Sequence, residues 1–284
     1  MQSKKIRIVS SSQPNGLTWI VNCLLELNYA CYPGQKIEDS WVKVDNTNFY
    51  TQTKLVSQLE RWLPNLVNKN PRKFKSDYNF SWSHDWNTDL DDSPTILFVR
   101  NPKSSILSQY KRLNLKDISY KEYLSMIDPN TLISIAETNN LFYCSWIQNK
   151  NIHIIKFEDA KNNPIETLTK TLQFLNIEVD SQSIINCVEN STSEIAQKIE
   201  EEYLLRNNMS LKNRVSRKGS LSEWAADIFT EENILINSST SQMQRLLNYN
   251  TTSLELNGDL VVYSKFTKRN KVVPDFSQNV QFNS

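Results

Sequence analysis

Residues 6–27 read IRIVSSSQPNGLTWIVNCLLEL. The β-branched run Ile6–Val9 predicts a strand, because two heavy atoms on Cβ suit an extended, half-buried backbone. A short polar turn follows and holds Gly16, one of only four glycines in 284 residues. From Leu17 an apolar stripe at three- and four-residue spacing predicts a helix. Strand, polar turn with glycine and helix N-terminus together make an anion cradle. Backbone N–H groups and the positive end of the helix dipole converge on one point there. The GxxxxGK[ST] spacing of a Walker A loop is absent, and no lysine stands in the turn.

The rest of the chain bounds this reading. At 284 residues it has room for one large α/β domain or two small ones. Hydrophobic residues make up 39% of it, which predicts a soluble globular fold. Lys+Arg number 32 against 31 Asp+Glu. That balance gives no bulk field for nucleic acid, so an anion site has to be built locally. Cys23, Cys31, Cys144 and Cys187 lack metal-type spacing and predict buried free thiols in a cytoplasmic protein. No metal is expected. The N-terminus has no apolar signal core, and no apolar run approaches the ~20 residues of a membrane span.

Strand patterns recur at Thr95–Val99 and Ile152–Phe157, each bounded by turn residues. Helical stripes are expected at Leu55–Leu66, Ile106–Leu113, Ile133–Ile147 and Leu168–Leu175. Strands separated by helices predict an α/β fold of three layers, P-loop-like, with a central parallel β-sheet flanked by helices. We expect one domain over residues 1–284. Its polar C-terminal extension starts near residue 250 and carries a strand-like run at Leu260–Phe266.

Three further segments hold phosphate-type chemistry. Thr95–Val99 runs into Arg100-Asn101-Pro102-Lys103-Ser104-Ser105-Ile106-Leu107-Ser108. Arg100 stands where a strand delivers it to the sheet edge, with a planar fork suited to a phosphate. Arg217-Lys218-Gly219 sets two cations beside a glycine, ahead of Trp224. Between them lies Ile154-Ile155-Lys156-Phe157-Glu158-Asp159. Each has a plainer alternative: a strand-to-helix turn, a solvated basic loop, a core strand.

The set and its order resemble the PAPS-dependent sulfotransferases, over roughly residues 6–235 and least over 28–80. These enzymes take a sulfuryl group from 3′-phosphoadenosine 5′-phosphosulfate (PAPS) and release adenosine 3′,5′-bisphosphate (PAP). Their 5′-phosphosulfate loop usually reads PKSGTTW. Here it reads Gln13-Pro14-Asn15-Gly16-Leu17-Thr18-Trp19, with glycine, second threonine and tryptophan kept and the lysine replaced by Pro14. The resemblance assigns Asn15, Gly16, Leu17, Thr18 and Trp19 to that loop. It assigns Arg100 and Ser108 to the 3′-phosphate, with Ser104 in place of the usual aspartate. Arg217, Lys218 and Gly219 match the family's RKG signature. Phe157 stands at the adenine-contacting tyrosine. Ser191 and Thr192 fall in the segment beside adenine, whose phenylalanine is Ser193 here. Trp19 matches the adenine-stacking tryptophan, with a core position as the alternative.

The chain has two histidines. His153 falls inside an apolar strand pattern and reads as structural. His84, in Ser81-Trp82-Ser83-His84-Asp85-Trp86, resembles the family's KTH segment, whose histidine deprotonates the acceptor; a surface-loop histidine is the alternative. The family's second cation, two residues before that histidine, is Trp82 here. For the two missing lysines, the expected stand-ins are the α-helix N-terminus with the Thr18 hydroxyl, Arg217 or Lys218, or Lys54. Trp82, Asp85 and Trp86 offer aromatic and acidic groups to a cationic small-molecule acceptor. A solvated acidic loop is the alternative. The lysine-free loop also resembles bacterial secondary-metabolite sulfotransferases, including those tailoring saxitoxin-type alkaloids. The dimer signature after the RKG loop is largely missing, which leaves a monomer or weak homodimer. Two other readings stay open: an inactive PAP- or PAPS-binding protein, and a P-loop kinase of a small metabolite.

Overall fold

The computed structural model describes residues 4–12, 15–34, 36–45, 47–54, 59–60, 62–66, 71–75, 77–87, 93–129, 131–211, 230–249, 260–261 and 279–280. Pro14, Arg217, Lys218 and Gly219 lie outside the described residues.

Strands β1 (Lys4–Val9), β2 (Ala30–Pro33), β6 (Tyr78–Ser83), β7 (Thr95–Val99) and β8 (Ile152–Lys156) form one five-stranded sheet in the order β2-β6-β1-β7-β8. Every pairing in it is parallel. A parallel sheet is buried on both faces and needs continuous apolar runs. TILFV of β7 is one: Thr95, Ile96, Leu97, Phe98 and Val99 are all buried. The central α/β sheet with flanking helices stands as expected. Between β2 and β6 the chain adds a small antiparallel sheet of β3 (Trp41–Lys43), β4 (Phe49–Gln52) and β5 (Arg72–Lys73), which the sequence pattern did not announce.

Helix α1 (Leu17–Glu26) packs Ile20, Val21, Cys23, Leu24 and Leu25 against Ile6, Ile8, Phe80 and Ile96. Burying an aliphatic side chain of this size contributes about 1.5–3 kcal/mol. Its last turn is closed by buried Arg72, whose Nη1 donates to the Leu25 carbonyl at 3.1 Å. That satisfies an orphan acceptor with a cation at the negative end of the dipole. Burial lowers the Arg72 pKa to about 10.

Helix α2 (Pro102–Leu113) starts on Pro102 with Asn101 as N-cap, its side chain accepting from the Lys103 amide at 3.0 Å. Helices α3 (Tyr120–Ser125) and α4 (Ile135–Ile147) open on full capping boxes, Ser119/Glu122 and Ser134/Glu137. Short α5 (Phe157–Asn162) follows β8 directly, so the expected strand ends at Lys156 and Phe157 begins a helix. Then come α6 (Pro164–Leu175), α7 (Ser181–Glu189), α8 (Ser193–Arg206) and α9 (Thr230–Leu246). The helix expected over Leu55–Leu66 is a correction in part. Residues 55–58 lie outside the described set, while Leu59 and Trp62 stand in turns and Pro64–Leu66 is a single 3₁₀ turn. Pro64 cannot donate an amide to the preceding turn, which ends an α pattern there.

His153 is structural in its surroundings. Its ring stacks on Phe174, and Nε2 lies 3.1 Å from Thr171 Oγ1, whose own proton goes to the Thr167 carbonyl. Burial first, and Lys170 next, lower its pKa and keep it neutral. All four cysteines are free and buried. Near the C-terminus Leu260–Val261 pairs antiparallel with Asn279–Val280; the rest of the run to Phe266 lies outside the described residues.

Candidate active site at the carboxyl edge of the sheet

The carboxyl ends of β1, β6, β7 and β8 deliver Ser10, His84, Arg100 and Phe157 to one edge, where open α/β sheets bind ligands. At β1 the chain turns through Ser10 and Ser11 into α1. Asn15 Nδ2 donates to Ser11 Oγ at 2.7 Å and to the Ser11 carbonyl at 3.3 Å. Ser11 Oγ also meets the Tyr143 hydroxyl of α4 at 3.1 Å and accepts from Asn139 at 3.5 Å. Asn15, Ser11, Asn139 and Tyr143 are buried. The Asn15 side chain thus braces the turn from inside. Burial above all keeps the Tyr143 hydroxyl protonated.

Gly16 is the N-cap of α1 at φ +86°, in the left-handed region. A Cβ there would stand 2.7 Å from the Phe157 ring. Both facts require glycine: the backbone conformation and the close approach of the ring. An L-residue in this region costs roughly 1–2 kcal/mol before any clash. Gly16→Ala is therefore expected to lower the unfolding free energy by more than ~1 kcal/mol in denaturant titration. Wild-type stability in that variant would contradict the packing described. Leu17, Thr18 and Trp19 form the first turn of α1; Leu17 is buried, Thr18 exposed and Trp19 half-buried with its edge toward Phe98, centroids 6.3 Å apart. No acidic residue occupies that first turn, so its positive end is open to an anion.

Arg100 is 7% exposed, and its guanidinium lies over the Phe157 ring at 4.4 Å. Phe157 therefore joins the two anion-binding signals, with Gly16 at one side and Arg100 on its face. The turn after Arg100 is held by Glu158, whose Oε1 accepts from the Asn101 amide at 3.0 Å. Ser108 lies two turns into α2, half-buried. Lys103, in the first turn of α2, is buried, and burial lowers its pKa.

His84 follows β6 and is exposed. Its Nδ1 lies 2.9 Å from the Ser10 carbonyl and 3.5 Å from Ser10 Oγ. A carbonyl only accepts, so Nδ1 carries a proton, and in the neutral ring Nε2 is then the acceptor. Trp82, on the same face two residues earlier, is half-buried, its ring edge-on to His84 at 6.4 Å. Asp85 is exposed beside it, and its carbonyl accepts from Trp146 Nε1 at 3.0 Å. Trp86 turns to the core instead, edge-on to Phe142 among Val9, Leu97 and Met243.

Ser191 and Thr192 each have a hydrogen-bond partner of their own. Ser191 is buried and its Oγ accepts from Asn65, which also bonds Asn22 in the middle of α1. Thr192 is the N-cap of α8, accepting from the Ile195 amide at 3.3 Å. Neither is joined to the Gly16–Trp19 turn by these bonds. Tyr143 and Glu158 were missed as supports of the site. Their partners lie 132 and 57 positions away in sequence, beyond the reach of any local pattern.

A family model described as the sulfotransferase domain matches residues 91–246, more than half of the chain. The chain belongs to the sulfotransferase family. The match starts just before β7 and takes in Arg100, Phe157 and α9. No curated protein matches this sulfotransferase by sequence. Solved structures share its fold. Mouse sulfotransferase SULT7A1 complexed with PAP superposes with TM-score 0.55 at 17% identity, covering 87% of this chain and 88% of that one. Retinol dehydratase in complex with retinol and PAP gives 0.56 at 13% identity, covering 89% and 84%. Identities this low speak for the fold. Among the described residues of the sulfotransferase, no helix is long and apolar enough to cross a membrane, and no group of three or more His, Cys, Asp or Glu is placed to hold a metal ion.

Proposed function

We propose that this protein transfers the sulfuryl group of PAPS to a hydroxyl or amine/carbamoyl nitrogen of a small-molecule acceptor, releasing PAP. The observation that carries this reading is the hydrogen bond from His84 Nδ1 to the Ser10 carbonyl. It puts a proton on Nδ1 and leaves Nε2 of the neutral ring as the acceptor, at the sheet edge that also carries Arg100 and Phe157. In the reaction Nε2 takes the acceptor's proton as its oxygen or nitrogen attacks sulfur. The S–O bond to the 5′-phosphate then breaks, and PAP leaves with that electron pair. General-base assistance of this kind is worth about 10²–10⁴-fold.

The open first turn of α1, its amides and the Thr18 hydroxyl face the charge growing on the leaving oxygen, where the family lysine is replaced by Pro14. Arg217 assists from the RKG segment. Arg100 and Ser108 hold the 3′-phosphate, while Trp19 and Phe157 border the adenine. PAP in the complexes of the two structural neighbours supports this donor. Ser191 and Thr192 enter the reading only as the walls behind that pocket, given their hydrogen bonds.

The acceptor is read as a small amine- or guanidinium-bearing molecule of secondary metabolism. Trp82 and Asp85 beside His84 support this by aromatic face and negative charge. We read the chain as one cytoplasmic domain with an extension from about residue 250, monomeric or weakly dimeric. Incubation with 35S-labelled PAPS and a panel of cationic and neutral acceptors tests the activity. Label moving to an acceptor is expected. Tight PAP binding with no transfer to any acceptor would leave the protein a nucleotide binder and overturn the reaction.

A further inference from the structure

Three successive residues at the carboxyl end of β8 connect the last described helix to the anion-binding edge. Lys156 Nζ lies over the Tyr249 ring at 5.0 Å. The Phe157 ring carries the Arg100 guanidinium on its face. Glu158 uses both oxygens: Oε1 accepts from the Asn101 amide at 3.0 Å, and Oε2 accepts from the Tyr249 hydroxyl at 2.9 Å. Tyr249 follows α9 and is 91 positions from Glu158, so it is a long-range brace and not a helix cap.

We propose that Tyr249 is a positioning residue for the nucleotide's 3′-phosphate, acting through Glu158 on the Asn101 amide and hence on the turn that holds Arg100. A carboxylate held by a single hydrogen bond can rotate about its last torsion; held at both oxygens, it fixes the plane in which the Asn101 amide sits. A fixed amide sets the direction in which the preceding residue, Arg100, leaves the strand. The geometry of a fork-shaped cation toward phosphate is strict, so small rotations there are expressed as affinity. Burial and then Glu158 raise the Tyr249 pKa well above its usual value, so the hydroxyl remains a donor throughout the working range. The inference rests on reading Arg100 as the 3′-phosphate ligand.

The test compares PAP with AMP, which differ only in the 3′-phosphate, by isothermal calorimetry on wild-type protein, Tyr249→Phe, Glu158→Gln and the double variant. Wild-type protein is expected to prefer PAP. Tyr249→Phe removes one oxygen and leaves the ring packed on Lys156. It is expected to weaken PAP about tenfold, with AMP affinity unchanged. Glu158→Gln keeps one acceptor and loses the other, since its amide nitrogen cannot accept. The double variant is expected to lose no more than the worse single one, because both act through the same link. Unchanged PAP affinity in Tyr249→Phe, or equal losses for PAP and AMP, would overturn the positioning role. Equal binding of PAP and AMP by the wild-type protein would overturn the Arg100 reading beneath it.

Discussion

Replacing His84 with alanine is expected to lower kcat by about 10²–10⁴-fold, with PAP affinity unchanged. As the proposed base, the ring is exposed, and its Nδ1 bonds the Ser10 carbonyl. Loss of the ring therefore leaves Ser10, its hydrogen bond to the Ser83 carbonyl and the sheet edge in place. His84→Asn keeps a donor for the Ser10 carbonyl yet supplies no base of useful strength, so it should be as slow as alanine. Stopped-flow or radiometric turnover at saturating donor reads this directly. Full turnover in either variant would remove His84 from the chemistry and leave Nε2 a solvent-facing atom.

The second large effect is at Arg100. Alanine there is expected to weaken PAP by roughly 10²–10³-fold, the loss of two charge-assisted hydrogen bonds at about 1.5–3 kcal/mol each, scaled down for partial replacement by water. AMP should be affected far less. Lysine should recover charge without the fork and fall between the two. Arg100 is also packed on Phe157, so part of any loss is structural. A thermal melt without ligand separates that part, since a packing loss lowers stability in the absence of nucleotide. An Arg100→Ala protein that binds PAP and AMP with equally reduced affinity would mean that Arg100 only supports the ring.

The sheet's three strands β1, β7 and β8 were legible because each is a short β-branched run bounded by turns. So was the helix opening at Leu17. Strands β2 and β6 were not. ACYP and YNFSWS lack a β-branched run, and what they bury is mixed: Ala30, Cys31 and Tyr32 in one, Phe80 and Ser81 in the other. The small β3–β5 sheet is built of pieces of two to four residues, too short for a period to show. In the stripe at Leu55–Leu66 it is the described end that departs, with Leu59 and Trp62 in turns and Pro64–Leu66 in a 3₁₀ turn, because a three- and four-residue spacing also suits such segments.

The candidate site divides along the same line. The place of Arg100 was legible because it follows the legible strand β7, and that of Gly16 because it precedes the helix opening at Leu17; His84 was singled out as one of two histidines and by resemblance, since β6 before it was not legible. Ser191 and Thr192 were read from the resemblance, and their bonds to Asn65 and to the Ile195 amide had no local signal. The tautomer of His84 depends on Ser10, 74 positions earlier, and the setting of Arg100 on Glu158 and Tyr249. Such links join residues that only the folded chain brings together.

The proposed site takes a nucleotide bearing phosphate on both sides of its ribose. Calorimetric titration with PAP and with ADP in the presence of Mg²⁺ tests it most directly. PAP is expected to bind at least tenfold more tightly, with Mg²⁺ making no difference to it. Tighter binding of Mg²⁺–ADP would contradict it and point to phosphoryl transfer from a nucleoside triphosphate.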